Sequence, residues 1–199
     1  MFKKMAFIIG ILAAVVSVFP CPGAASPLTD FSRGAAAVDV SYNIHTFEGF
    51  NNSYSFGLTT GLGNDWAFNF RQAGYDPVHN STLYDAINRE FNVVRKIDDT
   101  WQLYGGFSTT SGSGNAAFWH KNVIQGGVIG TKKLNDRTTF FVNMGGGWNV
   151  ANVEFGFSYQ LQPGLEISSI YRHLTVEKIE HYDDKLNMRC INLGVTWKR

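Results

Sequence analysis

The stretch from Val153 to Arg172 constrains the fold of this chain more than any other. Between residues 153 and 161, every odd position carries a large apolar side chain and every even position carries a polar residue or glycine. A period of two is typical of a β-strand with one apolar face and one polar face. Pro163-Gly164 then predicts a tight turn, because proline fixes φ at the second turn position and glycine accepts the positive φ that follows. We interpret the stretch as a β-hairpin.

Similar alternation recurs along the chain and predicts about ten strands with little or no helix. The apolar residues that define the other clear strands are Val38, Val40, Tyr42, Ile44, Tyr54, Phe56, Leu58, Leu62, Trp66, Phe68, Phe70, Ile87, Phe91, Val93, Trp101, Leu103, Phe107, Phe140, Val142, Met144, Ile191, Leu193, Val195 and Trp197. The predicted strand from Trp119 to Lys133 is rich in glycine and has the weakest alternation. Residues 27–34 are interpreted as a polar lead-in, and the Gly, Ser and Thr residues from Thr109 to Asn115 favour a mobile loop.

The connections between the predicted strands alternate in length. Tight turns fall near residues 63, 98, 135 and 163, and longer loops fall near residues 50, 78, 113 and 181, with a short exception at 149–151. Short turns on one side and longer loops on the other are typical of transmembrane barrels. The sequence therefore predicts an all-β fold, namely a transmembrane antiparallel up-and-down β-barrel of about ten strands, with eight strands as the alternative count.

The N-terminus has the three-part layout of a secretory signal peptide. Two lysines precede an apolar stretch over residues 5–19, and small residues follow it. We expect residues 1–25 to be the signal peptide and residues 26–199 to be the barrel domain, with cleavage after Ala25 or, alternatively, after Ser26. An uncleaved anchor is the competing interpretation, but the apolar stretch is short for a membrane helix, which needs about 20 residues.

Cleavage would change the charge and the cysteine content of the chain. The full sequence has a formal net charge of +1, and loss of Lys3 and Lys4 brings it to −1. A chain so close to neutrality has no basic field that would attract nucleic acid. Cys21 follows Pro20, which fits a lipoprotein signal badly. The mature chain would then retain only Cys190 and could not form an intramolecular disulfide.

Two architectures can use ten alternating strands, and they differ in where the apolar face points. A soluble ligand-binding barrel packs that face inward, whereas a membrane barrel turns it toward lipid and keeps a polar interior. The polar faces here consist mostly of Ser, Thr, Asn, Gln and Gly with few charges, which fits a narrow enclosed lumen. We expect a charge network in this lumen, since unpaired buried charge is costly. Its predicted members are Asp39, Arg71, Glu90, Glu154, Glu166 and Arg172.

The tryptophans sort to the two ends of the predicted strands. Aromatic girdles occupy both membrane interfaces of transmembrane barrels, where amphipathic rings lie at the level of the lipid headgroups. The predicted interface aromatics are Trp66, Trp101 and Trp197 at the side of the tight turns and Trp119 and Trp148 at the side of the loops. Outer-membrane lipid is therefore the expected surrounding of the barrel.

The C-terminal residues resemble a known family signal. Residues 192–199, with the sequence NLGVTWKR, are similar to the C-terminal signal of outer-membrane barrel proteins, although Lys198-Arg199 stands where the family usually ends in an aromatic residue. The repeated layout also resembles the small outer-membrane barrels of diderm bacteria that are grouped as OmpA-like and OmpX-like, over essentially the whole mature chain. The resemblance implies a location in the bacterial outer membrane and insertion by the barrel-assembly machinery.

The sequence shows no clear constellation for catalysis, for a cofactor or for a metal. The histidines fall near predicted strand ends, and the spacing of His45 with Ser41 and Asp39 does not show the convergence that a Ser-His-acid site requires. His181 with Asp183-Asp184 could hold a metal, but turn chemistry is the commoner reason for paired aspartates in a loop. We therefore predict no enzymatic activity, no cofactor and no metal site.

The expected function is that of a non-enzymatic outer-membrane barrel with a structural role, or with loops that act in adhesion or recognition. Barrels of about eight strands are filled by their own side chains and open channels appear at about 16 strands, so a ten-stranded lumen is expected to be plugged. The alternatives are a narrow pore for ions or small solutes and a soluble periplasmic ligand-binding barrel. The loops are short and ordinary in composition, so their sequences do not identify a binding partner.

Overall fold

The structure is a computed structural model that describes residues 27–46, 50–77, 85–114, 117–178 and 185–199. No helix occurs among these residues, and hence none that is long and apolar enough to cross a membrane. The strands are β1 (Ala36–His45), β2 (Phe50–Asn51), β3 (Ser53–Gly63), β4 (Trp66–Pro77), β5 (Asp85–Lys96), β6 (Trp101–Gly114), β7 (Ala117–Lys133), β8 (Thr138–Gly147), β9 (Val150–Gln162), β10 (Leu165–Glu177) and β11 (Lys185–Lys198). The two-residue β2 lies immediately before β3 and pairs with the same neighbour, β4. The barrel wall therefore consists of ten long strands.

Every long strand pairs antiparallel with its neighbours in the chain, and the first strand pairs with the last. The β1–β11 ladder runs from Ala37 opposite Lys198 to His45 opposite Cys190. This ladder closes the sheet and removes the unpaired edges that an open sheet would expose. The prediction of an all-β, antiparallel up-and-down barrel with ten strands is confirmed.

The connections define two ends of the barrel. The tight connections 64–65, 97–100, 134–137 and 163–164 lie at the same end as Arg199, and we term this the turn end and its opposite the loop end. Asn64 and Asp65 have φ of 54° and 63°, the left-handed geometry of two-residue turns that fit the twist of a hairpin. Gly164 has φ of 79° after Pro163, as the predicted Pro-Gly turn requires.

One segment that the sequence predicts as a loop is a strand. We expected a loop from Thr109 to Asn115, but β6 continues to Gly114 and pairs with β5 on one side and β7 on the other. The ladders on both sides hold the backbone of this polar segment, and the inward hydroxyl of Thr110 accepts a 3.0 Å hydrogen bond from Asn88 Nδ2. Asn115 lies outside the described residues. The small polar residues therefore extend the lumen wall.

Large apolar side chains cover the outside of the barrel, and polar side chains line much of its inside. On β9, Phe155 and Phe157 are 45% and 49% exposed, whereas the neighbouring Glu154 and Ser158 are 2% and 3% exposed. The same reversal of ordinary burial occurs on β1, β5, β6 and β11. An apolar exterior around buried charge is the arrangement of a barrel surrounded by lipid. The structure thus has the architecture of the small outer-membrane barrels that the sequence resembles.

Candidate functional site

The centre of the lumen holds four charged side chains that form one network. Arg71 on β4 donates to Glu154 on β9 through Nη1 and Nη2, at 3.1 and 2.6 Å. Arg172 on β10 lies with Nε 3.1 Å from Glu154 Oε1, and its Nη2 donates to Glu90 on β5. The Glu90 carboxylate also lies 3.9 Å from Arg71 Nη1. Two guanidinium groups therefore alternate with two carboxylates across the lumen.

Strand register explains this ring of charge. Arg71 lies directly opposite Glu90 in the β4–β5 ladder, and Arg172 lies directly opposite Glu154 in the β9–β10 ladder. Each arginine thus has one acid on the adjacent strand and reaches a second acid across the interior. The four residues are only 2% to 6% exposed. Charges buried this deeply require partners, and each of the four has two.

Asparagine side chains complete the hydrogen bonding around these charges. Asn152 donates to Glu154 Oε1 at 3.0 Å and accepts from Arg172 Nε at 3.0 Å. Asn143 donates to the other Glu154 oxygen at 3.3 Å, and Asn88 accepts from Arg172 Nη2 at 3.3 Å. We term the four charged residues and the three asparagines the ionic layer. The sequence prediction missed these amides, whose only signal is their place on the polar face of a strand.

An apolar layer closes the lumen at the turn end. The chain before β1 enters the mouth of the barrel, where Leu28 and Phe31 are 4% and 5% exposed. They form one cluster with Ala35, Ala37, Ala67 and Val94, and Tyr104 packs against it. Gln102 donates to the carbonyl of Leu28 at 3.1 Å and holds this segment in place. The expectation of a polar lead-in at 27–34 is therefore wrong, because its apolar residues gain burial inside the barrel. We term this segment the turn-end plug.

A second apolar layer fills the lumen at the loop end. Trp119 on β7 points inward and is 6% exposed, which corrects the prediction that it lies at the membrane interface. It shares a face of β7 with the buried residues Val123 and Gln125, so strand parity directs its ring into the interior. The cluster consists of Ala73, Tyr75, Ala86, Trp119, Val123, Val150, Leu174, Val176, Leu186 and Met188. The ionic layer therefore lies between two apolar layers.

Little open space remains beside the ionic layer. A cavity of about 40 Å³ lies between the turn-end plug and the ionic layer, and its walls include Phe31, Asn69, Arg71 and Glu154. A water molecule needs a cavity of roughly 10–15 Å³ on this measure, so the space accommodates a few water molecules.

The two remaining acids of the predicted network lie outside the ionic layer. Asp39 on β1 is 1% exposed, and neither of its carboxylate oxygens has a hydrogen-bond partner among the described residues. Glu166 on β10 lies at the turn end and accepts a 2.8 Å hydrogen bond from Lys198, which also donates to the Pro27 carbonyl at 3.3 Å. The structure thus joins the other four predicted residues and leaves these two apart.

An open vestibule of about 650 Å³ lies at the rim of the turn end, and its walls include Lys96, Asp99, Glu166 and Lys198. Lys96 donates to the exposed Asp99 carboxylate at 2.7 Å, and this hydrogen bond holds the pKa of Asp99 below its usual range. In the turn-end plug, the backbone N–H of Ser32 donates to Asp30 at 2.9 Å and lowers the pKa of Asp30. The vestibule connects the inner mouth of the barrel with solvent.

Four of the five predicted interface tryptophans face outward. Trp66, Trp101 and Trp197 are 40%, 44% and 50% exposed at the turn end, and Trp148 is 79% exposed at the loop end. The Arg95 guanidinium lies 5.4 Å from the centroid of the Trp66 ring, a cation–π contact that keeps a charge beside the outward ring. Contact of these rings with lipid headgroups stays a prediction.

The residues around His45 do not form a Ser-His-acid site. Ser41 and Asp39 lie four and six residues before His45 on β1, which corresponds to about 13 and 20 Å along a strand. His45 Nε2 instead lies 3.0 Å from Ser53 Oγ, whose hydroxyl donates to the carbonyl of Gly74. Among the described residues, no three or more His, Cys, Asp or Glu side chains lie together as metal ligands. The candidate metal residues His181, Asp183 and Asp184 lie outside the described part of the chain.

Comparisons with known proteins give only distant likenesses in structure. No protein-family model matches the chain, and no curated protein does so either. The chain is similar to Ail, the attachment invasion locus protein of Yersinia pestis, with 15% identity, coverage of 84% of this chain and 99% of that chain, and a TM-score of 0.31. It is similar to the KdgM porin with 12% identity, coverage of 81% and 98%, and a TM-score of 0.42.

The translocator domain of the autotransporter NalP from Neisseria meningitidis is a third similar structure. Its identity is 11%, the match covers 98% of this chain and 96% of that chain, and the TM-score is 0.39. At these identities and TM-scores the likenesses carry no inference about activity or ligands. The barrel itself rests on the strand pairing of this chain.

Proposed function

We propose that this chain is a non-enzymatic outer-membrane barrel with a sealed lumen. On this proposal it acts as a structural membrane protein, or it presents its loops as an adhesion or recognition surface. The turn end faces the periplasm, and the loop end faces the outside of the cell. The barrel-assembly machinery inserts the exported chain into outer-membrane lipid.

The observation that carries this proposal is the stacking of three closed layers inside the barrel. The turn-end plug, the ionic layer and the loop-end apolar cluster follow one another along the axis. The cavity between the first two layers measures only about 40 Å³. A hydrated ion that moved through this interior would have to separate Arg71 from Glu154 and displace Phe31.

A narrow pore for ions or small solutes is the alternative that a bilayer experiment tests directly. The purified protein is reconstituted in planar bilayers after a gel assay for heat-modifiable mobility has shown that it is folded. We expect an electrically silent wild-type barrel. The variant Arg71→Ser/Glu154→Ser removes the two-bond contact and leaves the net charge unchanged, and it should also stay silent because the two apolar layers still close the lumen. Steady ion-selective openings of the wild-type protein would sink the proposal.

A soluble periplasmic ligand-binding barrel is the second alternative. It conflicts with an exterior on which Phe157, Leu193 and Val195 are 48% to 49% exposed, because a soluble barrel would turn these side chains inward. Cell fractionation decides between the two. We expect the protein in the outer-membrane fraction and its release only by detergent, and recovery as a monomer from the periplasm without detergent would contradict this.

The loops distinguish a structural role from a recognition role. Residues 78–84 and 179–184 connect strands at the loop end, and each can be replaced with a Gly/Ser segment of equal length. If the loops act in recognition, cells with the replaced loops lose surface attachment but keep a normal envelope. If the role is structural, these cells behave like wild type, whereas deletion of the whole gene weakens the envelope.

A further inference from the structure

Asp39 is a buried acid for which the described structure supplies no partner. Its side chain points into the lumen from β1 and is 1% exposed, and neither carboxylate oxygen has a hydrogen-bond partner among the described residues. The carboxylate lies over Gly57, where a Cβ atom would come within 2.4 Å of Asp39 Oδ2. Gly57 thus makes room for this carboxylate in the wall.

The cations that act on Asp39 are engaged elsewhere. The charged groups with an electrostatic effect on it are Arg71, Glu154 and Lys198. Arg71 forms two hydrogen bonds with Glu154, and Lys198 donates to Glu166 at 2.8 Å. The buried charged residues of the described lumen are two arginines and three acids, which leaves one negative charge uncompensated. An isolated buried carboxylate is costly, so we expect a bound cation or a proton to neutralise this site.

Two hydroxyl groups adjoin Asp39 on the inner wall, and a third lies one strand further away. Thr196 on β11 lies directly opposite Asp39, and Ser41 is the next inward residue of β1. Ser41 and Ser168 of β10 both lie opposite Gly194, where a Cβ atom would lie 2.8 Å from Ser168 Oγ and 2.9 Å from Ser41 Cβ. The hydroxyl oxygens of Ser41, Ser168 and Thr196 are all buried and have no hydrogen-bond partner among the described residues.

We propose that Asp39, Ser41, Ser168 and Thr196 form a binding site for one small monovalent cation such as sodium. Carboxylate and hydroxyl oxygens are the ligands that hard cations prefer. One monovalent ion cancels the single excess negative charge, whereas a divalent ion would leave the lumen with an excess positive charge. The inference does not depend on whether the lumen conducts.

Sodium titration of stability tests the site. The purified protein in zwitterionic detergent micelles is unfolded in urea, while sodium chloride replaces N-methylglucamine chloride at constant ionic strength. One ion at about ten times its dissociation constant should lower the unfolding equilibrium constant of the wild-type protein by a factor of about 11. Asp39→Asn should abolish the response to sodium, because the amide keeps the shape of the side chain and removes its charge.

Two further variants keep the test decisive. Asp65→Asn removes an equal charge from an exposed turn where asparagine accepts the left-handed backbone, so it should respond to sodium as the wild type does. Thr196→Val should shift half-saturation to higher sodium, and it serves in place of Asp39→Asn if that variant does not fold. A wild-type stability that ignores sodium overturns the proposal. If, in addition, the stability changes with pH in the wild type and not in Asp39→Asn, a proton rather than a cation balances the charge of Asp39.

Discussion

Arg71 and Glu154 are 83 residues apart in the chain, yet they form two hydrogen bonds across the lumen, at 3.1 and 2.6 Å. A planar guanidinium that meets a carboxylate through two parallel bonds fixes both distance and orientation. The contact ties the wall at β4 to the wall at β9, which are not neighbours in the sheet. The interior of this barrel therefore contributes to its shape through direct bonds between distant strands.

Removal of one partner of this contact should destabilise the barrel strongly. Arg71→Met leaves Glu154 with a buried charge and fewer donors, and breaking a buried ion pair in this way costs about 3–5 kcal/mol. Urea unfolding in micelles measures the loss. The double variant Arg71→Met/Glu154→Leu should recover most of it, since a matched apolar pair carries no desolvation penalty. A double variant as unstable as the sum of the single variants would contradict a direct coupling.

The outward apolar face predicts that the free-energy cost of introducing a charged side chain depends on its depth in the membrane. Phe157 and Leu161 lie on the same face of β9, each 49% exposed, but Leu161 is close to the turn end. Phe157→Lys should cost about 2–4 kcal/mol at mid-membrane depth, and Leu161→Lys should cost about 0–1 kcal/mol near the interface. Folding into lipid vesicles, followed by unfolding in guanidinium, gives both values. Equal costs at the two positions would argue against a lipid-facing β9.

The turn-end plug predicts that Phe31 contributes to stability although it precedes the first strand. Phe31→Ala removes a side chain that is 5% exposed, and truncation of a buried phenylalanine costs about 3–5 kcal/mol. The exposed neighbour Thr29 provides the control, because Thr29→Ala should change the stability by less than about 0.5 kcal/mol. Protease treatment gives a second measurement, in which the Phe31 variant should be cut first in the segment before β1.

Two glycines on the strands that flank β7, Gly145 on β8 and Gly105 on β6, should respond differently to the same substitution. A Cβ atom on Gly145 would lie 2.0 Å from the Tyr104 hydroxyl and 2.6 Å from the Gly126 carbonyl oxygen, whereas one on Gly105 would have only the Gln125 carbonyl oxygen, at 3.9 Å. Gly145→Ala should therefore cost about 1–3 kcal/mol through overpacking. Gly105→Ala should be close to neutral, and thermal unfolding in micelles compares the two. Similar midpoints for both variants would show that Tyr104 moves aside freely.

Alternation predicted the strands and their outer faces because only residues two apart share a face of a strand. Val153, Phe155 and Phe157 are outward in the structure as that rule requires. The rule failed for Trp119, since the outward side of β7 near the loop end carries the polar residues His120 and Asn122. Because both faces of β7 carry polar residues there, the alternation of polarity does not show which way the Trp119 ring points. Only the pairing register of the strand sets that direction.

The contacts inside the lumen could not be predicted in the same way. The predicted charge network paired acids with Arg71 and Arg172 across the lumen, but which acid each arginine meets depends on how far the two walls are apart, which barrel closure sets. The inward position of Phe31 was missed for another reason. Its segment has no periodicity, and its burial comes entirely from the mouth of a barrel that forms later in the chain.

The ionic layer also restricts how the strands can align during assembly. A slip of two residues between neighbouring strands keeps every side chain on its own face, so the match of apolar and polar faces does not oppose it. Such a slip moves one strand by about 6.6 Å past the other. Arg71 would then lose its place opposite Glu90, or Arg172 its place opposite Glu154. Misaligned barrels would carry unpaired charges in a closed interior, and the lumen thereby favours the alignment that the ladders of this structure have.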